Sequence, residues 1–481
     1  MKIFKNIFLL FFLYLFIRVT SFFAPPETTL QNGSFFNSLI SIAILIVTSY
    51  LIIKKNDYAW YIIAAEIILG GSGNFFSVFE ISLRTLLLVS SLALFVLSKP
   101  LNETILSLCE HTFFLKILIV LYFIVATSAI RGFYFGHSAS QIFADTIPYL
   151  FLLYYFPFSE IFKKEKFRNF ITQSLIAALI GNLTLIFFTF IGFSLQLFHP
   201  QDAYYHWFRD VANGKITDLG YNFYRIVINE HLLLIPLFLL FFNRLLSQDV
   251  KEYKKYFQIS CLLILGLLAI SLTRIYLIAL IIGLVLSFST INYKKWILFC
   301  TLSLFTFILI FVGMHTAASR GKSLGLELFG LRIQSIAAPD IEDSSLSRKI
   351  LLPKILEKIK KRPLLGNGLG DTVTIFSPVV KKEITTSEFD WGYFEIIDEL
   401  GIVGFITWLI LISGLIMQIK KIPKISLHPG PSAFFLIPLI SLLVINITSP
   451  ALFHVFGIIL ITIFYLETQN QPRLINNASL K

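Results

Sequence analysis

The chain has 481 residues, of which 56% are hydrophobic, 16% aromatic and 14% charged, with a formal net charge of +12. Its Phe content and its recurrent apolar runs of about 18 or more residues exclude a water-soluble core and read as a polytopic helical membrane protein. The basic excess sits mostly at the ends of these runs, so it reports membrane topology rather than a nucleic-acid partner. The scattered Cys109, Cys261 and Cys300, with no CxxC, exclude a disulfide framework and a zinc site.

The first apolar segment, 3–23, has a short basic start (Lys2, Lys5) and no small-residue cleavage site, so it reads as an uncleaved span rather than a signal peptide. Further spans are expected near 35–53, 58–71, 76–98, 115–130, 144–160, 171–193, 231–247, 256–272, 275–291, 295–314, 396–419, 433–448 and 451–467. The fold class is therefore an all-α integral membrane bundle of about 12–14 transmembrane helices. Gly, Asn and Ser interrupt 66–77, which suggests a broken or re-entrant pair. The stretch 256–291 is tight for two spans and reads as a hairpin with Ser271-Leu-Thr-Arg274 at its turn.

Placing Lys2 and Lys5 inside also places inside Lys54-Lys55, Lys163-Lys164 with Lys166, Arg244 to Lys255, Lys294-Lys295, and Lys420-Lys421 with Lys424. The connections 24–34 and 71–75 then fall outside and carry no Lys or Arg. Short cytoplasmic loops rich in Lys and Arg are what insertion favours. Both termini are then cytoplasmic, and two long loops, 194–230 and 315–395, are external. No internal repeat or low-complexity tract divides the chain, which reads as one integral domain.

The external segment from Thr316 to Glu395 holds 22 Asp, Glu, Lys and Arg in 80 residues, about twice the density of the whole chain. Within it, Arg348 heads a basic amphipathic segment in which Leu352, Ile355, Leu356 and Ile359 share one helical face. Gly366-Asn-Gly-Leu-Gly370 lacks the Lys-Ser/Thr of a phosphate loop and reads as the turn that ends this helix. Asp390, Tyr393, Glu395, Asp398 and Glu399 crowd the start of the span near 396–419. Carboxylates in a first helical turn are ordinarily dipole partners, whereas Asp390 lies just before that turn and is the better candidate general base. Arg274 sits at the mouth of the 256–291 hairpin, either snorkelling to the interface or binding an anion. Arg225 and Arg209 share loop 194–230 with several aromatic residues, a mixture that suits sugars and phosphates as well as an interfacial belt. Glu66 lies well inside an early span and must face protein or water. His231 and His315, at span ends, are secondary candidate bases. No cluster reads as a metal site.

In this order the motifs resemble the O-antigen polymerase and O-antigen ligase superfamily of bacterial envelope enzymes. Ser271-Leu-Thr-Arg274 looks like the family's Ser-x-Ser/Thr-Arg helix start. Ser347-Arg348 and Arg362-Pro-Leu-Leu-Gly-Asn-Gly-Leu-Gly370 resemble its Arg…Pro-x-x-Gly-x-Gly-x-Gly loop. Tyr393 and Glu399-Leu-Gly-Ile-Val-Gly404 resemble its Tyr…Glu-x-Gly-Ile-x-Gly re-entry, and Glu66-Ile-Ile-Leu-Gly-Gly-Ser-Gly73 is also similar to such proteins. One departure stands out: where the family's ligases, and many of its polymerases, carry His-Asn, this chain has Asp390-Trp391.

The resemblance implies a GT-C-like bundle and a metal-independent, inverting glycosyl transfer without cofactor, at the outer face of the bacterial cytoplasmic membrane. The donor would be an undecaprenyl-diphosphate-linked oligosaccharide, and chain-length regulator and flippase proteins would be partners. Arg274, Arg348 and Arg225 would neutralise the leaving diphosphate, and Asp390 (or Glu388 or Glu395) would take the acceptor proton. Arg209, Arg225, Tyr393, Glu395 and Glu66 would contact substrate. The altered His-Asn position favours a polymerase of repeat units, with ligase-type transfer as the alternative. A flippase is the competing class, but it would be expected to show two similar halves and charges near the midplane.

Overall fold

The computed structural model describes residues 2–27, 33–98, 112–246, 253–288, 292–338, 343–377, 382–387, 389–422 and 431–479. Glu388, one of the alternative bases, lies outside the described residues, as does Lys424. Among the described residues, eight helices are long and apolar enough to cross a membrane, and five shorter apolar helices accompany them. The architecture is that of an all-α polytopic membrane protein, and the described residues include three two-stranded antiparallel hairpins.

Nearly every expected span coincides with a helix. The exception is 144–160, which is a helix Ala139–Leu150, a 3-10 turn Phe151–Tyr154 and a short helix Tyr155–Ile161. Pro148 and Pro157 supply the physical reason, since each removes a backbone donor and crowds the preceding turn. The expected span 76–98 starts late, at Leu83, because a small hairpin (Ser77–Val78 with Ile81–Ser82) occupies its first residues. In the helix Tyr293–Ala318 only 11% of the apolar window is buried. Its exposed Ile297, Leu298, Leu302, Phe305 and Leu309 form an apolar face of the kind that marks contact with a membrane.

The chain divides into two compact units. The first comprises Met1–Lys99, Phe156–Phe329 and Ser426–Pro438. Its helices Lys2–Phe23 and Glu165–Ser194 lie against each other. Gly181 admits the Tyr14 ring, whose hydroxyl donates to Asn182 Oδ1 at 2.6 Å. The hairpin Lys215–Asp218/Tyr224–Val227 belongs here. So does the helix pair Lys254–Ser271 and Arg274–Phe288, whose turn is the expected Ser-Leu-Thr-Arg. Leu272 takes the left-handed conformation there (φ 42°) and ends the first helix.

The second unit comprises Pro100–Tyr155, Gly330–Ile425 and Leu439–Lys481. Its long helix Gly392–Lys421 packs on Thr112–Tyr134, with Gly414 receiving the Phe113 ring. The basic segment forms the helix Asp343–Lys361. Leu351 and Ile355, one helical turn apart, are buried against Val373 and Phe389, with Ile359, Trp391 and Phe394 packed around them. This stripe is rotated from the face centred on Leu352 and Leu356. Burying Ile355 and Phe389 fully contributes about 1.5–3 kcal/mol each. That cluster ties the middle and last turns of the basic helix to the start of Gly392–Lys421.

Candidate active site

The helix Gly392–Lys421 is interrupted at Gly401 (φ 73°, ψ −179°), a region essentially restricted to glycine. A break inside an apolar segment strands backbone groups that lipid cannot satisfy. The Gly-rich loop supplies the missing partners. Asn367 N donates to Asp398 O at 2.6 Å and Gly368 N to Glu399 O at 3.2 Å. On the far side of the break, Ile402 N donates to Pro363 O at 2.9 Å and Val403 N to Leu364 O at 3.2 Å. The Ser128 hydroxyl completes the joint by donating to Glu399 O at 2.7 Å. The fit leaves no room for side chains. A Cβ on Gly366 would lie 2.6 Å from the Asp398 and Glu399 carbonyl oxygens, and one on Gly401 would lie 2.1 Å from Leu364 O. The Pro-x-x-Gly-x-Gly-x-Gly and Glu-x-Gly-Ile-x-Gly motifs are thus two halves of one joint.

Carboxyls line it, those of Asp371 and Asp398 buried and that of Asp145 half-buried. Asp398 Oδ1 accepts from Asn367 Nδ2 at 2.8 Å. The Asp371 carboxylate is held by Lys358 Nζ at 2.7 Å on both oxygens, and His137 Nε2 stands 3.4 Å away. Asp145 Oδ2 accepts from Gly370 N at 2.9 Å. Arg131 donates to Leu365 O, and Arg362 lies 3.5 Å from the centroid of the Phe135 ring. These groups anchor the loop to the helices Thr112–Tyr134 and Asp343–Lys361.

Beyond the joint, Arg348 and Asp390 meet. Arg348 Nε lies 3.6 Å from Asp390 Oδ2, and the side chains are 27% and 47% exposed, so the pair is formed yet open to a ligand. Trp391 Nε1 donates to Arg348 O at 3.4 Å, which fastens the basic helix beside the carboxylate. Asp390 itself is left-handed (φ 54°), a conformation that Asp and Asn tolerate better than other side chains. The next glycine, Gly392, lies against Asn446, where a Cβ would come within 2.6 Å of its carbonyl oxygen. Tyr393 donates to Leu443 O at 2.7 Å, and Glu395 is buried within the same helix.

The remaining sequence candidates lie in the first unit. Arg225, on the strand Tyr224–Val227, donates from Nε to Ser271 O at 2.8 Å and from Nη2 to Thr273 Oγ1 at 3.2 Å. It therefore fixes the Ser-Leu-Thr-Arg turn that presents Arg274 at the first position of its helix. Arg209 is exposed and held by Asp210 at 2.7 Å, and that hydrogen-bonded ion pair keeps its guanidinium above its ordinary pKa. Glu66 is engaged by Arg84 Nε at 3.1 and 3.0 Å. His231 is fully buried, and His315 stacks on Phe223.

Sequence reasoning missed the cations that secure Glu66 and its glycines. The helix Tyr58–Leu69 ends inside the unit, and two arginines take its last carbonyls. Arg84 donates to Gly71 O at 2.9 Å and Glu66 O at 3.1 Å, while Arg18 donates to Leu69 O. Arg18 also pairs with Glu230 at 3.2 Å, with both side chains under 10% exposed. Cations at a helix C-terminus complement its dipole. The available signal was an Arg well inside a first apolar span. Arg84→Ala is expected to destabilise the protein by about 3–5 kcal/mol, because it leaves Glu66 uncompensated. Thermal melting in detergent would show this, and Arg84→Ala/Glu66→Ala should recover part of the loss.

Residues 259–409 match the family model described as O-Antigen ligase. The matched stretch holds the Ser-Leu-Thr-Arg turn, Arg348, the Gly-rich loop, Asp390 and the helix break. It supports the resemblance to the O-antigen ligase and polymerase superfamily, and with it a membrane glycan-processing enzyme of the O-antigen type. No curated protein and no solved structure matches the chain.

Proposed function

We propose that this chain, similar over residues 259–409 to O-antigen ligases, polymerises lipid-diphosphate-linked oligosaccharide repeat units into surface polysaccharide. The observation that carries the reading is the half-open Arg348–Asp390 pair at 3.6 Å, set where the charged segment re-enters the apolar helix. The Asp390 carboxylate accepts the proton of the acceptor sugar hydroxyl. The acceptor oxygen attacks the anomeric carbon, and the bond from that carbon to the diphosphate oxygen breaks. A single displacement inverts the anomeric centre. Arg348 stabilises the charge gathering on the leaving lipid diphosphate, the type of electrostatic contribution that most often dominates such barriers. Arg274, at the first position of its helix, is a further candidate for the same role.

Asp390-Trp391 in place of the His-Asn that the family's ligases carry argues against a typical ligase and leaves the polymerases, whose sequences vary more. The Lys and Arg distribution supports an external site and a multi-pass protein of the bacterial inner membrane with both termini cytoplasmic. The test uses purified protein in liposomes with an undecaprenyl-diphosphate-linked oligosaccharide. A ladder of lipid-linked products supports the polymerase. A single transfer to added lipid core supports the ligase. Movement of the donor between leaflets with no new glycosidic bond would overturn both.

A further inference from the structure

Away from the motifs, the first unit carries a polar pocket of about 170 Å³ lined by Gln196, Tyr221, Asn222, Ser319, Arg320 and Lys322. Three structures contribute to it: the C-terminal end of the helix Glu165–Ser194, the tip of the hairpin Lys215–Asp218/Tyr224–Val227, and the turn after the helix Tyr293–Ala318. No carboxylate lines it, and among the described residues neither Arg320 nor Lys322 forms an ion pair. The buried Ser319 shapes the turn that presents both cations. Its hydroxyl donates to Ser323 O at 3.0 Å and accepts from Ser323 N at 3.1 Å.

Gln196, Tyr221, Asn222 and Arg320 all have φ between 53° and 59°. Such left-handed residues each cost on the order of 1–3 kcal/mol and gather where a surface is shaped for a ligand. The Tyr221 ring is 55% exposed, and Gln196 Nε2 donates to Asn222 Oδ1 at 3.4 Å, which orients both amides.

An exposed aromatic face, two amides and two uncompensated cations match one chemistry: a sugar ring carrying an acid group. The volume is below the ~300–1,000 Å³ of sites for larger ligands, so it suits one acidic sugar residue of a longer chain. We propose that this pocket is a saccharide subsite selective for an acidic residue of the glycan. Its location rests on the pocket alone; the identity of the ligand rests on the glycan-transfer reading.

The test measures binding without turnover. Full-length protein in zwitterionic nanodiscs is titrated, by saturation-transfer NMR, with a tetrasaccharide of alternating glucuronic acid and N-acetylglucosamine and with neutral maltotetraose. The acidic probe should bind at least tenfold more tightly. Arg320→Gln/Lys322→Gln should remove that preference, and Tyr221→Ala, but not Tyr221→Phe, should weaken both probes. Equal binding of the two probes, or an unchanged preference in the double variant, overturns the proposal. Displacement by equimolar inorganic phosphate, or by anionic lipid in the disc, assigns the pocket to bare anions or headgroups and also overturns it. If the liposome ladder is absent while selective binding persists, the transfer reading fails and the subsite stands. A ladder without selective binding is the reverse outcome.

Discussion

Replacing Asp390 by Asn is expected to lower the rate of glycan polymerisation at least ~100-fold while the protein inserts and folds normally. A positioned general base ordinarily contributes 10²–10⁴-fold. Asn keeps the shape of the side chain and tolerates the left-handed backbone at this position (φ 54°) as well as Asp does. It removes the charge and the basicity, so the loss reads as chemistry rather than strain. Arg348→Ala should cost a comparable factor by withdrawing the cation that faces the leaving diphosphate, with Arg348→Lys intermediate because it restores charge without the guanidinium fork. Initial rates of ladder formation in liposomes, with insertion checked by protease protection, measure both. Full-length polymer at wild-type rates from Asp390→Asn would remove the residue from the mechanism.

Gly401→Ala is expected to have a large structural effect for a single added methyl. The glycine-only torsions alone cost about 1–3 kcal/mol. The new Cβ would also lie 2.1 Å from Leu364 O and 2.5 Å from Leu364 C, both backbone atoms that cannot swing aside. Separating the loop from the break would expose the bonds from Asn367, Gly368, Ile402 and Val403, and each unsatisfied buried group costs about 1–3 kcal/mol. The sum is a large share of the ~5–15 kcal/mol that holds a typical protein folded. The melting temperature in detergent should fall on the order of 10 °C. Gly313→Ala is the matched control, since its Cβ would meet nothing within 4 Å. Equal melting of the two variants would show that the joint contributes nothing.

The apolar spans were legible in the sequence because length and hydropathy are local properties. The Ser-Leu-Thr-Arg turn was legible for the same reason: a polar interruption between two apolar runs has few alternatives. Its tie to Arg225, 46 residues away, was not. The basic helix was also visible in outline, but which stripe it buries depended on Val373 and Phe389, which no helical wheel contains. The Gly-rich loop read as a turn, and it is one; its use as the missing half of a broken helix was not legible. Ser128 and Glu399 are 271 positions apart, and nothing in either neighbourhood announces the contact. Arg18 and Glu230, 212 positions apart, pose the same difficulty.

By itself, then, the sequence determined the membrane class, the approximate spans, the charged segment and the ordered motifs, because each follows from residue type over a short window. The tertiary structure alone decided that Arg348 meets Asp390, that two motifs form one joint at Gly401, and that Glu66 is held by Arg84. The physical reason is common to all three. Buried polar groups must find partners wherever the fold places them, and torsions such as those of Gly401 are stable only when distant backbone supplies the bonds that the break removes.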